Sequence, residues 1–410
     1  MKTFLMFFTG IVITVASPET EKKIFCTHGK WSHYRSGNGQ FGIDQIDPSL
    51  CTHLIYTFFG INTDAEIVIR DTWLDLEDNY GLGNLKKLSK LKEINPNLKT
   101  LAAIGGWSEG TEAFSKVAND PVKRGIFVKN CMDFVEKYDF DGLDLDWEYP
   151  GQRDGNKTTD KEAFTLLVKE LATALHSKKL LLTALVAPER YSFNVAYDIP
   201  QISKHLDFMK LKTYDMHGSW GSKIGNNSPL YAKAAENNME KLMNMHTGVF
   251  DWINSGAPAE KLIVGVSTYG RGFKMISRDK NTPLSPHGGA SEAGPYTSDP
   301  GMLGYNELCE KRLTEAWKDH WDEEQMVPYT TRGDQWIGYE NEESLRIKAR
   351  YIRMYKLGGI MVANIETDDF KGFCGRGKFP LLNEVKKALK EKSPYAPRER
   401  KVCINTIKFS

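Results

Sequence analysis

The chain has 410 residues, with 54 Lys+Arg against 53 Asp+Glu (formal net charge +1), 40% hydrophobic and 26% charged. These are globular proportions and exclude a disordered tail protein. Near-neutral charge without a long basic run excludes a nucleic-acid partner held through phosphates. The 11% aromatic content, with nine Trp, points to aromatic recognition instead.

At the N-terminus Met1-Lys2 precedes an apolar run from Phe4 to Val15, broken at Thr9-Gly10 and closed by Ala16 and Ser17. This pattern predicts a secretory signal peptide over residues 1–17. The run is shorter than the ~20 residues of a membrane-spanning helix, and no later segment is long and apolar enough, so no membrane partner is expected. A secreted, extracellular chain suits the six cysteines. Asn156-Lys-Thr158 and Asn226-Asn-Ser228 match the N-glycosylation acceptor pattern.

Eight short apolar, β-branched runs follow: Ile24–Cys26, His53–Phe59, Leu98–Ile104, Phe140–Asp146, Leu180–Val186, Phe208–Thr213, Leu262–Thr268 and Gly359–Ile365. Helical periodicity separates most of them, over Val122–Tyr138, Lys161–His176, Met239–Ile253 and Glu343–Tyr355. Strands alternating with helices pair in parallel, and eight units are the number that closes a (β/α)8 TIM barrel. An open doubly wound sheet is the rival arrangement. The stretch between the seventh and eighth runs is too long for one crossover helix and too rich in Gly, Pro and aromatics for a structureless loop, so residues 274–341 are read as an inserted α+β subdomain. The barrel then takes residues 18–273 and 342–388, and the basic, Pro-containing residues 389–410 form a flexible tail.

The fourth run continues as Asp144-Leu-Asp146-Trp-Glu148-Tyr149. A strand's period of two puts Asp144, Asp146 and Glu148 on one face and Leu143, Leu145 and Trp147 on the other. With helices outside, the acids run up the barrel interior toward the C-terminal mouth, where barrel active sites sit. Mutual repulsion and desolvation keep at least one proton on such a row, and Glu148, the last acid, is best placed to hold it as a general acid. The residues alone also allow an exposed acidic edge strand or a divalent-cation site.

The acid row matches the DGxDxDxE motif of glycoside hydrolase family 18, and residues 23 to 388 resemble its chitinases and chitinase-like proteins. Further matches are Leu101-Ala-Ala-Ile-Gly-Gly-Trp107-Ser, Thr213-Tyr214-Asp215-Met-His-Gly-Ser-Trp220, Tyr269-Gly-Arg271 and Gln335-Trp336-Ile-Gly-Tyr339. The resemblance implies a barrel directed at chitin or N-acetylglucosamine oligosaccharides, acting without metal or organic cofactor by a substrate-assisted retaining mechanism. It implies Glu148 as acid and Asp146 as the residue orienting the acetamido group, with Asp144 passing a proton behind it. Tyr214 would bond the acetamido oxygen. Trp31, Trp107, Tyr149, Asp215, Trp220, Tyr269, Arg271 and Trp336 would line the cleft, where aromatic faces suit pyranose C–H surfaces. It also implies disulfides Cys26–Cys51 and Cys309–Cys374, leaving Cys131 a buried thiol and Cys403 unpaired or intermolecular. A monomer is expected.

Two positions depart from the family pattern. Ala363 stands where family members usually carry the Trp that floors the cleaved sugar, and losing such a platform costs a few kcal/mol. Lys212 stands where an apolar Met is usual, two residues before Tyr214 on the same face. A cation there is expected to pair with the acid row and leave Glu148 unable to donate, so hydrolysis should be weak. A non-catalytic chitin-binding lectin of the same fold is the alternative.

Overall fold

The computed structural model describes residues 21–391 apart from 278 and 280. The expected signal peptide, nearly all of the basic tail and Cys403 lie outside the described residues.

Eight strands form a closed parallel barrel: Lys23–Gly29, His53–Ile61, Lys99–Gly105, Gly142–Asp146, Leu181–Val186, Phe208–Leu211, Leu262–Ser267 and Gly359–Ala363. The first strand pairs with both the second (Cys26 beside Leu54) and the eighth (Cys26 beside Val362), which shuts the ring and excludes the open sheet. Both faces of each strand are covered, which is why their sequences read as continuous apolar runs. The outer faces join the main core. Trp147 lies 1% exposed there, stacked on Phe114 with centroids 5.3 Å apart. The inner faces form a separate cluster that includes Phe25, Ile55, Leu101, Tyr214, Met361 and Ala363.

Helices Pro121–Lys137, Asp160–Ser177 and Glu342–Met354 fall within a residue of the expected spans. The helix expected from Met239 begins later, at Met245. Asn244 caps it, accepting from the Thr247 N–H at 2.9 Å, and Glu240–Leu242 is only a 3₁₀ turn.

The oversized gap holds a second, antiparallel sheet of six strands: Tyr269–Met275, His287–Ala290, Met302–Gly304, Lys318–Asp322, Val327–Arg332 and Gln335–Gly338, with the helix Tyr305–Thr314. It starts upstream of residue 274, because the seventh barrel strand passes through Thr268 directly into it. Trp336, expected in the cleft, is 0% exposed at this sheet's core. It stacks on Tyr329, and its Nε1 donates to the Asn281 carbonyl at 3.0 Å, so it presents no face to a ligand.

Disulfides join Cys26 to Cys51 and Cys309 to Cys374, the second tying the insertion helix to the segment after the eighth strand; Cys131 is a buried free thiol. Asn226 is buried and donates to Gln325 Oε1 at 2.7 Å, and Ser228 is buried too, so the second acceptor motif is closed in the folded protein. Asn156 is exposed, and its Oδ1 accepts from the N–H and hydroxyl of Thr158. Among the described residues, no helix is long and apolar enough to cross a membrane.

Candidate functional site

The acid row stands inside the barrel as its period requires, with Asp144, Asp146 and Glu148 each 2–3% exposed. Lys210 on the sixth strand and Lys212 just past its end face it, sharing the parity of Tyr214. Lys212 Nζ donates to Glu148 Oε2 at 2.6 Å, and Lys210 Nζ donates to Asp144 Oδ2 at 2.5 Å. Thr183 Oγ1 also donates to Asp144, at 2.6 Å. Such charge-assisted bonds are among the strongest a side chain makes. They occupy carboxylate oxygens that a divalent cation would need, so the donor set does not suit a metal.

Asp146 lies between these two pairs. Burial above all, then the neighbouring Glu148 and Asp144 carboxylates, push its carboxyl well above the usual range, against the pull of both lysines. Its Oδ1 is buried without a hydrogen-bond partner. Burial works against the charge on Lys212, but Glu148, Asp215 and Asp146 outweigh it and raise the ammonium's pKa.

A second cluster closes one side. Tyr269 Oη and Arg271 Nε both donate to Asp215, at 2.8 and 2.7 Å. Burial opposes ionisation of Asp215, yet Arg271 prevails and holds its carboxyl below the usual range. Asn227 fixes the turn, accepting from the Asp215 N–H at 2.9 Å and donating to Ser267 Oγ at 2.7 Å. Tyr214 meets Tyr269 edge-on, with centroids 6.3 Å apart.

Three tryptophans stand open around this centre: Trp31 (42% exposed), Trp107 (57%) and Trp220 (64%). Trp31 and Trp220 lie against glycines for a steric reason. A Cβ on Gly29 would come 2.4 Å from the Trp31 ring, and one on Gly218 2.1 Å from the Trp220 ring. The Arg153 guanidinium lies 4.3 Å from the Trp107 centroid, and Arg271 lies 5.1 Å from that of Trp220. Tyr149 is partly buried beside Glu148, whose charge helps raise its phenol after burial itself.

Ala363 is buried in the inner cluster. The cavity nearby, lined by Asp144, Asp146, Lys210, Tyr214, Met361 and Asn364 among others, measures about 40 Å³. Ligand pockets run to ~300–1,000 Å³, so this cavity alone is too small to enclose a ligand of that kind. A larger space of about 270 Å³ flanks Trp220 and is walled by Tyr191, Met216, Met239 and Met243.

Sequence reasoning missed Lys210, although a second lysine of Lys212's parity on an inward-facing strand was a readable signal. It also missed Glu189, which burial pushes up to about 7 at the rim near Lys212 and Glu148, and the seating glycines.

Residues 23–368 match the model of the glycosyl hydrolases family 18. The chain is 38% identical to Chitotriosidase-1 of Mus musculus over 388 residues, covering 92% of this chain and 80% of that protein. The Group IV chitinase of Ostrinia furnacalis, also solved in complex with allosamidin, superposes with a TM-score of 0.87 at 42% identity, covering 90% of this chain and 99–100% of the chains compared. Human YKL-39, described as a pseudo-chitinase with retained chitooligosaccharide binding properties, superposes with a TM-score of 0.83 at 33% identity, covering 90% of this chain and 100% of that one. Closed barrel, inserted sheet, acid row and these matches together show that the chain belongs to glycosyl hydrolase family 18.

Proposed function

We propose that the cleft binds β-1,4-linked N-acetylglucosamine oligomers and hydrolyses them slowly. The observation that carries this reading is the 2.6 Å bond from Lys212 to Glu148. Glu148 can protonate a glycosidic oxygen only when its carboxyl bears a proton, and here that carboxyl accepts from an ammonium group. Ala363 adds a second deficit, since a methyl in place of an indole leaves the cleaved sugar without a stacking floor.

The binding half rests on the open tryptophans, the fixed Asp215–Arg271–Tyr269 cluster and the likeness to chitinases and a chitooligosaccharide-binding relative. Where hydrolysis proceeds, Glu148 is the acid, the substrate's acetamido carbonyl is the nucleophile, Asp146 and Tyr214 orient that group, and Asp144 stands behind Asp146. The lysine contact equally favours the non-catalytic lectin. The same reading takes the protein as secreted and monomeric, with Asn156 as its glycan acceptor.

The test is reducing-end release from a soluble N-acetylglucosamine oligomer. Slow turnover that disappears in Glu148→Gln and rises at least about tenfold in Lys212→Met with Ala363→Trp supports the slow enzyme. Oligomer binding without turnover in any of these proteins identifies the lectin. Absence of binding removes both readings.

A further inference from the structure

We propose that Arg153 is a positioning residue of the cleft, its guanidinium fixing the Trp107 indole as a flat wall for a sugar ring near Glu148. The inference rests on the oligomer-binding reading above and adds a residue that serves binding through Trp107.

Trp107 needs a hold from outside its own loop. It opens the 3₁₀ turn Trp107–Glu109, with Gly106 before that turn at φ 90° and Gly110 after it at φ 77°. Trp31 leans on Phe58, with centroids 6.1 Å apart, whereas the ring neighbours of Trp107 are cations. Lys212 Nζ lies 5.6 Å from the Trp107 centroid but is committed to Glu148 at 2.6 Å. The Arg153 guanidinium is nearer, at 4.3 Å. Its Nη1 also donates to the carbonyl of Trp107 at 2.8 Å and to that of Glu148 at 3.4 Å. One side chain thus holds both the ring and the backbone of Trp107 and ties them to the loop that carries Glu148. A planar guanidinium over one face of an indole leaves the other face for a ligand.

Arg153 keeps this place against its backbone preference. It follows Gln152 in a turn closed by the Gly155 N–H on the Gln152 carbonyl at 2.9 Å, and its φ of 56° is a left-handed conformation that favours glycine. The loop does not need the arginine to stay folded. Asp154 accepts from the Thr111 N–H and hydroxyl at 3.2 and 3.0 Å, and Asp160 accepts from the Gly151 and Asn156 N–H groups at 3.1 and 2.7 Å. Gln152 Nε2 donates to Ser192 Oγ at 2.8 Å. Glycine at 153 would suit the turn and leave all of these bonds in place, while releasing the indole. What the arginine adds is therefore its hold on Trp107, and backbone strain of this kind persists where it serves a site.

The experiment pairs calorimetric binding of the N-acetylglucosamine tetramer with acrylamide quenching of tryptophan emission in the free protein. Wild type, Arg153→Gly, Arg153→Lys, Trp107→Phe and the double variant Arg153→Gly/Trp107→Phe are compared. Arg153→Gly should weaken tetramer binding about threefold to fivefold, the range of an exposed cation–π pair, because the free indole spends less time in the binding orientation. Quenching should rise, and the melting temperature should change little, since relief at φ offsets the added freedom of glycine in the unfolded chain. Arg153→Lys, which keeps the cation but not the planar fork, should recover part of the affinity. The double variant should quench no more than Trp107→Phe. Unchanged tetramer affinity in Arg153→Gly, or a rise in quenching that persists in the double variant, overturns the positioning role and leaves oligomer binding standing. No binding of the tetramer by wild type overturns both.

Discussion

Trp147 sits between Phe114 and Phe164, 1% exposed, and its Nε1 has no hydrogen-bond partner. Its contribution is therefore packing alone. Trp147→Phe should cost under ~1.5 kcal/mol, as near-conservative core exchanges do. Trp147→Ala should cost ~3–5 kcal/mol by leaving a cavity; denaturant unfolding measures both. Gly218 serves Trp220 differently. A methyl there has nowhere to go but into the indole ring, so Gly218→Ala should displace Trp220 and weaken oligomer binding about fivefold or more, the loss of roughly 1 kcal/mol of stacking, with little change in melting temperature. The alternation at Asp144, Asp146 and Glu148 was legible because period-two geometry is dictated by the backbone. The partners of these acids were not, because Lys210 and Lys212 arrive from another part of the chain. Parity alone could have flagged Lys210; the distance to Asp144 could not be read from a linear pattern.

Among elements, the barrel strands were the most readable, since burial on both faces leaves a continuous apolar run that few other structures produce. The helix expected from Met239 shows how such reading fails. Met239 and Met243 fit a helical apolar face, but Asn244 offers its side chain to the Thr247 N–H and the helix starts only at Met245. Asn244→Ala should cost about 1 kcal/mol, the usual loss for an N-cap, read as a lower denaturation midpoint at unchanged m-value. Trp336 fails for a related reason. Nothing in the spacing of Gln335-Trp336-Ile-Gly distinguishes a tryptophan facing solvent from one facing Tyr329 and Phe273 across a small sheet. Only the register of three neighbouring strands decides it.

At the scale of the whole molecule, buried carboxyls set the pH dependence of stability. Burial pushes Asp368 and Glu189 up to about 7, although backbone N–H groups of Leu382, Asp369 and Leu381 oppose this at Asp368. Their unfolded values are ~3.9–4.3, so the folded state holds the extra protons. Stability from these groups is complete below about pH 4 and is lost as pH rises through about 7. Asp141 and Asp215 act oppositely. In each, burial is outweighed, by the Thr100 N–H and Lys99 in one and by Arg271 in the other, so their contribution fades as pH falls below the ordinary carboxylate range. The melting temperature should therefore peak on the acid side of neutrality and decline toward pH 8, about a unit above the buried acids' midpoint. Asp368→Asn should flatten that decline; a profile that rises from pH 5 to 8 in wild type would contradict the assignment.

The passage of the seventh barrel strand through Thr268 into the strand Tyr269–Met275 makes the two sheets one continuous beam. Tyr269 and Arg271 sit on the insertion's end of that beam, while Asp215, which both of them hold, belongs to the barrel. The inserted sheet is thus not a module that could be clipped off at its loops. Excising it would take away a wall of the cleft and strip Asp215 of both Tyr269 and Arg271, so a shortened barrel should lose the oligomer binding proposed above even if the ring of eight strands still closed.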